Sequence, residues 1–153
     1  MRFFKLEYRQ ALLLSICLTL FSCESNTKKT QLLGQWYNES MDVKIGALDG
    51  TVDSLFSVPA GQWEAVLGIK PILTTYTEDG KFNSDYISLE GELLQSKGGA
   101  WELKGDSLFL TEDGQTTAYF FDWREGKAGF IGYLDWDNDG HADDLYEGVQ
   151  IKK

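Results

Sequence analysis

Gly99-Ala100-Trp101-Glu102-Leu103-Lys104-Gly105-Asp106-Ser107-Leu108-Phe109-Leu110-Thr111-Glu112-Asp113-Gly114-Gln115-Thr116-Thr117-Ala118-Tyr119-Phe120-Phe121-Asp122-Trp123 is the stretch on which the fold turns. Lys104-Gly105-Asp106 and Glu112-Asp113-Gly114 cut it into three runs. Trp101 with Leu103, Leu108 with Leu110, and Tyr119 with Phe121 and Trp123 repeat at a period of two, and Phe120 points the other way. That period belongs to a strand, because successive side chains of extended chain face opposite sides. Short glycine-bearing turns between such runs make consecutive strands antiparallel neighbours.

The same grammar extends in both directions. Ile72 to Thr77, Lys81 to Ser88, Lys127 to Asp135 and Asp144 to Lys152 are further runs, punctuated by Glu78-Asp79-Gly80 and Arg124-Glu125-Gly126. Phe82, Ser84, Tyr86 and Ser88 share one face, and in the last run Leu145, Glu147, Val149 and Ile151 form the more apolar face against Tyr146, Gly148 and Gln150. Leu33 to Ser40 reads as a first strand, with one or two more between Val43 and Val58, so the count reaches about eight to ten. Gln62 to Gly68 reads as a short helix. One face buried and one wet suits a sheet closed on itself, since closure removes the exposed edges of a long meander. The expectation is an all-β domain over residues 32–153, a single antiparallel meander closed into a barrel.

The N-terminus carries a different signal. Arg2, Lys5 and Arg9 precede the apolar run from Ala11 to Phe21, which is too short to span a bilayer as a helix. Residues 1–22 therefore read as a secretory signal peptide. Leu20-Phe21-Ser22-Cys23 resembles the bacterial lipobox, which implies acylation of Cys23 and a protein held at the membrane by lipid alone. Residues 23–31, polar and featureless, read as a flexible tether. Cys17 falls within the removed segment and Cys23 takes the lipid, so the mature chain rests on its apolar core with no disulfide.

Charge and inventory exclude whole classes of function. Removing residues 1–22 takes away three basic and one acidic side chain, which moves the formal charge from -10 to -12. Nucleic acid and anionic lipid surfaces both call for a basic face, so neither is an expected partner. The sole histidine is His141, and no nucleophile elbow, phosphate-cradling glycine loop or His-x-x-x-His pair appears. A non-catalytic, monomeric protein of the cell envelope, anchored in the outer membrane, is the expectation.

Asp135-Trp136-Asp137-Asn138-Asp139-Gly140-His141-Ala142-Asp143-Asp144 packs five carboxylates into ten residues. Such crowding needs water or a cation to take up the charge. Calcium wants six to eight oxygens, and the acids at Asp135, Asp137, Asp139 and Asp143 with a turn at Gly140 can wrap one, the carbonyl of His141 joining them. The stretch resembles the D-x-D-x-D-G-x-x-D loops of EF-hands, dockerins and thrombospondin type 3 repeats. It places Tyr146 where an EF-hand has its bidentate glutamate. The flanks do not read as helices, so an EF-hand proper is not expected, and the expected role of the cation is structural rather than catalytic. The alternative is a solvated acidic hairpin tip, for which Asn138-Asp139-Gly140 is also good turn chemistry.

A second resemblance covers most of the domain. Leu33-Gly34-Gln35-Trp36 is similar to the Gly-x-Trp opening of lipocalins, and Thr77 to Phe82 and Gly98 to Leu108 look like hairpins common in bacterial lipocalin-like lipoproteins. The family's arginine near the end of the last strand has no match, the chain ending in Lys152-Lys153. The resemblance implies an eight-stranded barrel closed at one end by Trp36. A hydrophobic small molecule would bind inside against Trp36, Tyr86, Trp101, Tyr119 and Phe121. The competing expectation is an interaction module with a filled core that meets a protein or glycan partner. An interior cavity of roughly 300 Å³ or more favours the first, and an exposed aromatic patch over a solid interior the second.

Overall fold

The computed structural model describes residues 27–46 and 54–153. The signal-peptide reading of residues 1–22 and the lipid-bearing Cys23 lie outside the described residues. The chain divides into two units, Met1–Gln31 and Leu32–Lys153. In the first, residues 27–31, part of the stretch read as a tether, are helical. Among the described residues no helix is long and apolar enough to cross a membrane.

The second unit is all-β. Its strands are β1 (Gly34–Ile45), β2 (Ser54–Val58), β3 (Leu73–Tyr76), β4 (Lys81–Ile87), β5 (Leu93–Lys104), β6 (Ser107–Glu112), β7 (Gln115–Arg124), β8 (Lys127–Leu134) and β9 (Asp144–Lys152). Each pairs antiparallel with the next from β3 onward, β1 pairs with β3, and β9 returns to β1. The result is a closed eight-strand barrel of lipocalin-like form, with β2 as an extra strand hydrogen-bonded to the far half of β1. The short helix Trp63–Leu67 lies within the stretch read as helical, its end turned by Gly68.

Two boundaries differ from the sequence reading. β5 begins at Leu93, six residues before Gly99, and its early part pairs with β4 through Leu93↔Ile87 to Gly99↔Phe82. Residues 93–98 are exposed throughout, so no buried alternation marks them as a strand. β1 likewise runs on to Ile45, with a bulge between Asn38 and Ser40.

The last strand presents the opposite face from the one its apolar residues suggested. Asp144, Gly148 and Gln150 are buried, and Tyr146 reaches the interior, while Leu145, Val149 and Ile151 face outward and are half-buried. Register explains it. Tyr146 lies between Gly132 of β8 and Val43 of β1, and Gly148 lies opposite Phe130. The ring of Tyr146 folds over Gly148, where an added Cβ would collide with its hydroxyl. Large and small inward residues alternate to fill a narrow barrel, and that fit outweighs the count of apolar side chains.

One end of the barrel is filled. Trp36, Trp101, Leu108, Phe121 and Ala128 form a continuous buried cluster with Leu32 and Phe130. Trp36 is fully buried, its Nε1 donating to the Leu32 carbonyl at 2.7 Å, and it meets Trp123 edge-on with ring centroids 5.1 Å apart. The Lys152 ammonium stands 5.3 Å from the Trp36 ring centroid and 5.9 Å from that of Trp123. A cation from the last strand therefore covers the Trp36 ring.

Candidate functional site

Antiparallel connection sorts the loops between two ends. The turns after β3, β5 and β7 gather at the filled end, and those after β4, β6 and β8 gather at the other. At that second end the interior opens into a cavity of about 640 Å³. Its floor is Tyr76, Phe82 and Phe130, its wall includes Met41, Tyr86, Tyr119 and Tyr146, and Trp63, Leu67 and Trp136 stand at the mouth. Of the sequence-derived pocket residues, Tyr86 and Tyr119 line this space. Trp36, Trp101 and Phe121 belong instead to the buried cluster at the filled end. A period of two shows which residues point inward, but gives no depth along the barrel axis.

The cavity wall is not purely apolar. Gln150 Nε2 donates to Asn38 Oδ1 at 3.0 Å, both residues being buried, and the hydroxyls of Thr74 and Ser84 lie 2.9 Å apart. Two buried polar atoms of the lining residues, Gln150 Oε1 and Trp63 Nε1, have no hydrogen-bond partner among the described residues. Leaving such an atom unsatisfied costs on the order of 1–3 kcal/mol.

Four tyrosines, Tyr76, Tyr86, Tyr119 and Tyr146, share the cavity lining. Tyr119 meets Tyr146 with centroids 5.9 Å apart and Phe130 at 6.3 Å. Burial pushes the Tyr119 phenol up to about 12, with Tyr86 and Glu112 adding to the shift. Burial likewise raises Tyr76, Tyr146 and Tyr86. An unfolded tyrosine ionises near pH 10, so folding favours the neutral phenol. That stabilisation is whole below about pH 10 and is lost as pH rises through about 12 for Tyr119. We expect the phenolate absorbance of these buried tyrosines to appear together with loss of the fold under alkali. Their ionisation at about pH 10 with circular dichroism unchanged would contradict this.

The acidic loop between β8 and β9 sits at the same end as the cavity mouth, and its Trp136 stacks on Phe56 of β2 with centroids 5.8 Å apart. Asp135, Asp137 and Asp144 each place one carboxylate oxygen so that all lie within 4.8 Å of one another. Oxygens about 2.3–2.6 Å from a shared ion can be separated by no more than about 5 Å, so these three fit a cation. Asp139, His141 and Asp143 are outside that group among the described residues. Asp139 Oδ1 accepts the His141 N–H at 2.7 Å, and the Asp143 carboxyl lies against Gly46. The Gly140 N–H donates to Asp135 Oδ2 at 3.1 Å, and Gly140 takes a φ of +92°, which supports the sharp turn expected there.

Asp144 is the residue that sequence reasoning left out of the site. Its side chain is fully buried, and it accepts backbone N–H groups from Gly46 at 2.9 Å, Trp136 at 2.6 Å and Asp137 at 3.3 Å. It thus joins the end of β1 to the acidic loop. The only sequence signal was a charged residue opening a strand, which four neighbouring carboxylates conceal.

Elsewhere the outer sheet face carries exposed Phe120, Ile131 and Tyr133, and the first two are cross-strand partners on β7 and β8. No protein-family model matches the chain, and no curated protein matches it in sequence.

Proposed function

We propose that this is a non-catalytic, lipid-anchored protein of the bacterial outer membrane whose barrel binds a hydrophobic small molecule. The observation that carries the reading is the cavity of about 640 Å³, open at one end and lined in part by Trp63, Tyr76, Phe82, Tyr119, Phe130 and Tyr146. It falls within the range of volumes that hold small organic ligands. A filled-core interaction module is the second reading, favoured only by the exposed Phe120, Ile131 and Tyr133. N-phenylnaphthylamine, an apolar reporter, should brighten on entering the cavity. Ser84→Trp, which places an indole on the inward face of β4, should abolish the signal in a folded protein. A folded wild-type chain that leaves the dye dark would favour the module.

Calcium is the cation proposed for the acidic loop, as a structural ion held by Asp135, Asp137 and Asp144 with water and backbone oxygens completing its shell. At a hundredfold excess over its Kd, calcium would add about 2.7 kcal/mol to stability. The melting temperature should therefore rise when millimolar calcium replaces chelator, and Asp137→Asn should remove the response. Equal melting in both conditions would leave the loop as a turn.

The anchor rests on Cys23 and the run before it. Metabolic labelling with a fatty-acid analogue should mark the wild type but not Cys23→Ser. Label retained in the variant would overturn the assignment.

A further inference from the structure

Resting on the cavity reading above, we infer that the ligand is an uncharged ring compound bearing hydroxyl or amide groups along its length, and not a fatty acid or other lipid anion. Charge is the first argument. Lys97 is the one basic residue of the described lining, and it lies 4.0 Å from Glu112, with Asp113 beside it. The acidic loop stands at the same end. A carboxylate entering there would shed its hydration without gaining a free counter-charge.

The second argument is where the polar atoms lie. A fatty acid wants a polar group at the mouth and a purely apolar channel below it. Here the inner wall holds the Asn38–Gln150 pair, the Thr74–Ser84 pair and the hydroxyls of Tyr76, Tyr119 and Tyr146. No hydrogen bond joins those three phenols to another described residue. Gln150 is 8% exposed and Trp63 3%, and each carries a buried polar atom without a partner among the described residues, an acceptor on Gln150 and a donor on Trp63. An acyl tail would leave the three phenols unmatched. A hydroxylated ring would meet those phenols at its edges while its faces stack on Phe82, Phe130 and the tyrosines. Because burial holds Tyr119 protonated up to about 12, its hydroxyl can donate as well as accept.

The test is calorimetry on the full chain with two rigid uncharged diols, oestradiol and bisphenol A, against palmitate and N-phenylnaphthylamine. At least one diol should bind about tenfold more tightly than palmitate. Gln150→Leu and Tyr146→Phe should each cut that preference by about fivefold, the loss of one hydrogen bond of about 1 kcal/mol. The inference is overturned if palmitate binds more tightly than both diols, or if neither variant, folded by circular dichroism, changes the preference. N-phenylnaphthylamine and palmitate entering while both diols stay out would sink this inference and leave the cavity reading intact. No probe entering at all would sink both.

Discussion

Asp144→Ala should lower the unfolding free energy by about 3–5 kcal/mol, read as a shift in the chemical denaturation midpoint. The carboxylate is fully buried and takes three backbone N–H groups, from Gly46, Trp136 and Asp137. Hydrogen bonds to a charged acceptor are each worth about 1.5–3 kcal/mol, and their sum is reduced because water can reach part of the loop once it loosens. Asp144→Asn keeps the size but turns one side of the group into a donor facing donors, so it should recover only part of the loss. If the alanine variant melts within about 1 kcal/mol of the wild type, the loop is not tied to β1 through this residue. The same variant should also lose any melting response to calcium, because it removes one of the three clustered oxygens.

Trp36→Ala should cost about 3–5 kcal/mol, the usual range for removing a fully buried tryptophan. The indole fills the closed end of the barrel, donates to the Leu32 carbonyl, and lies beneath the Lys152 ammonium. Trp36→Phe would retain much of the packing and none of the hydrogen bond, so it should fall between. Lys152→Met should cost far less, about 0.5–1 kcal/mol, since a partly exposed cation over a ring contributes about that much. Because Trp36 is not among the residues that line the cavity, whichever variant still folds should bind N-phenylnaphthylamine as the wild type does. Loss of dye binding from a folded Trp36→Phe would place this residue in the pocket after all.

The turns were the most legible part of the chain. Gly80, Gly105, Gly114 and Gly126 all take positive φ, and the last two follow Asp113 and Glu125 in the same region. Few residues tolerate that backbone, so the sequence has little freedom to hide it. Alternation then located the inward face of β4 and β7, where Phe82 and Phe121 are buried as expected. It misread β9, because an inward strand that carries Gly148 and Gln150 looks polar until its neighbours are known. Only the register with β1 and β8 shows that a glycine there makes room for Tyr146. The start of β5 was hidden for the opposite reason, since a strand exposed on both faces has no pattern to display.

The site was legible as composition and less so as geometry. Five acids in ten residues announce a charged loop. Which oxygens converge depends on how the ends of β8 and β9 meet the end of β1, a contact between residues about a hundred positions apart. The aromatic pocket was similar. Inward direction was readable for Trp36, Trp101, Tyr119 and Phe121, and their division between filled core and open cavity was not.

The seam between β1 and β9 also governs how the polypeptide reaches this state. It pairs Trp36 with Lys152 and Lys44 with Leu145, the opening strand of the ring with its final one. Folding dominated by such distant partners is slow, because the whole intervening loop must be drawn in before the pairing is rewarded. A nascent chain cannot close its ring until β9 has emerged and can pair with β1.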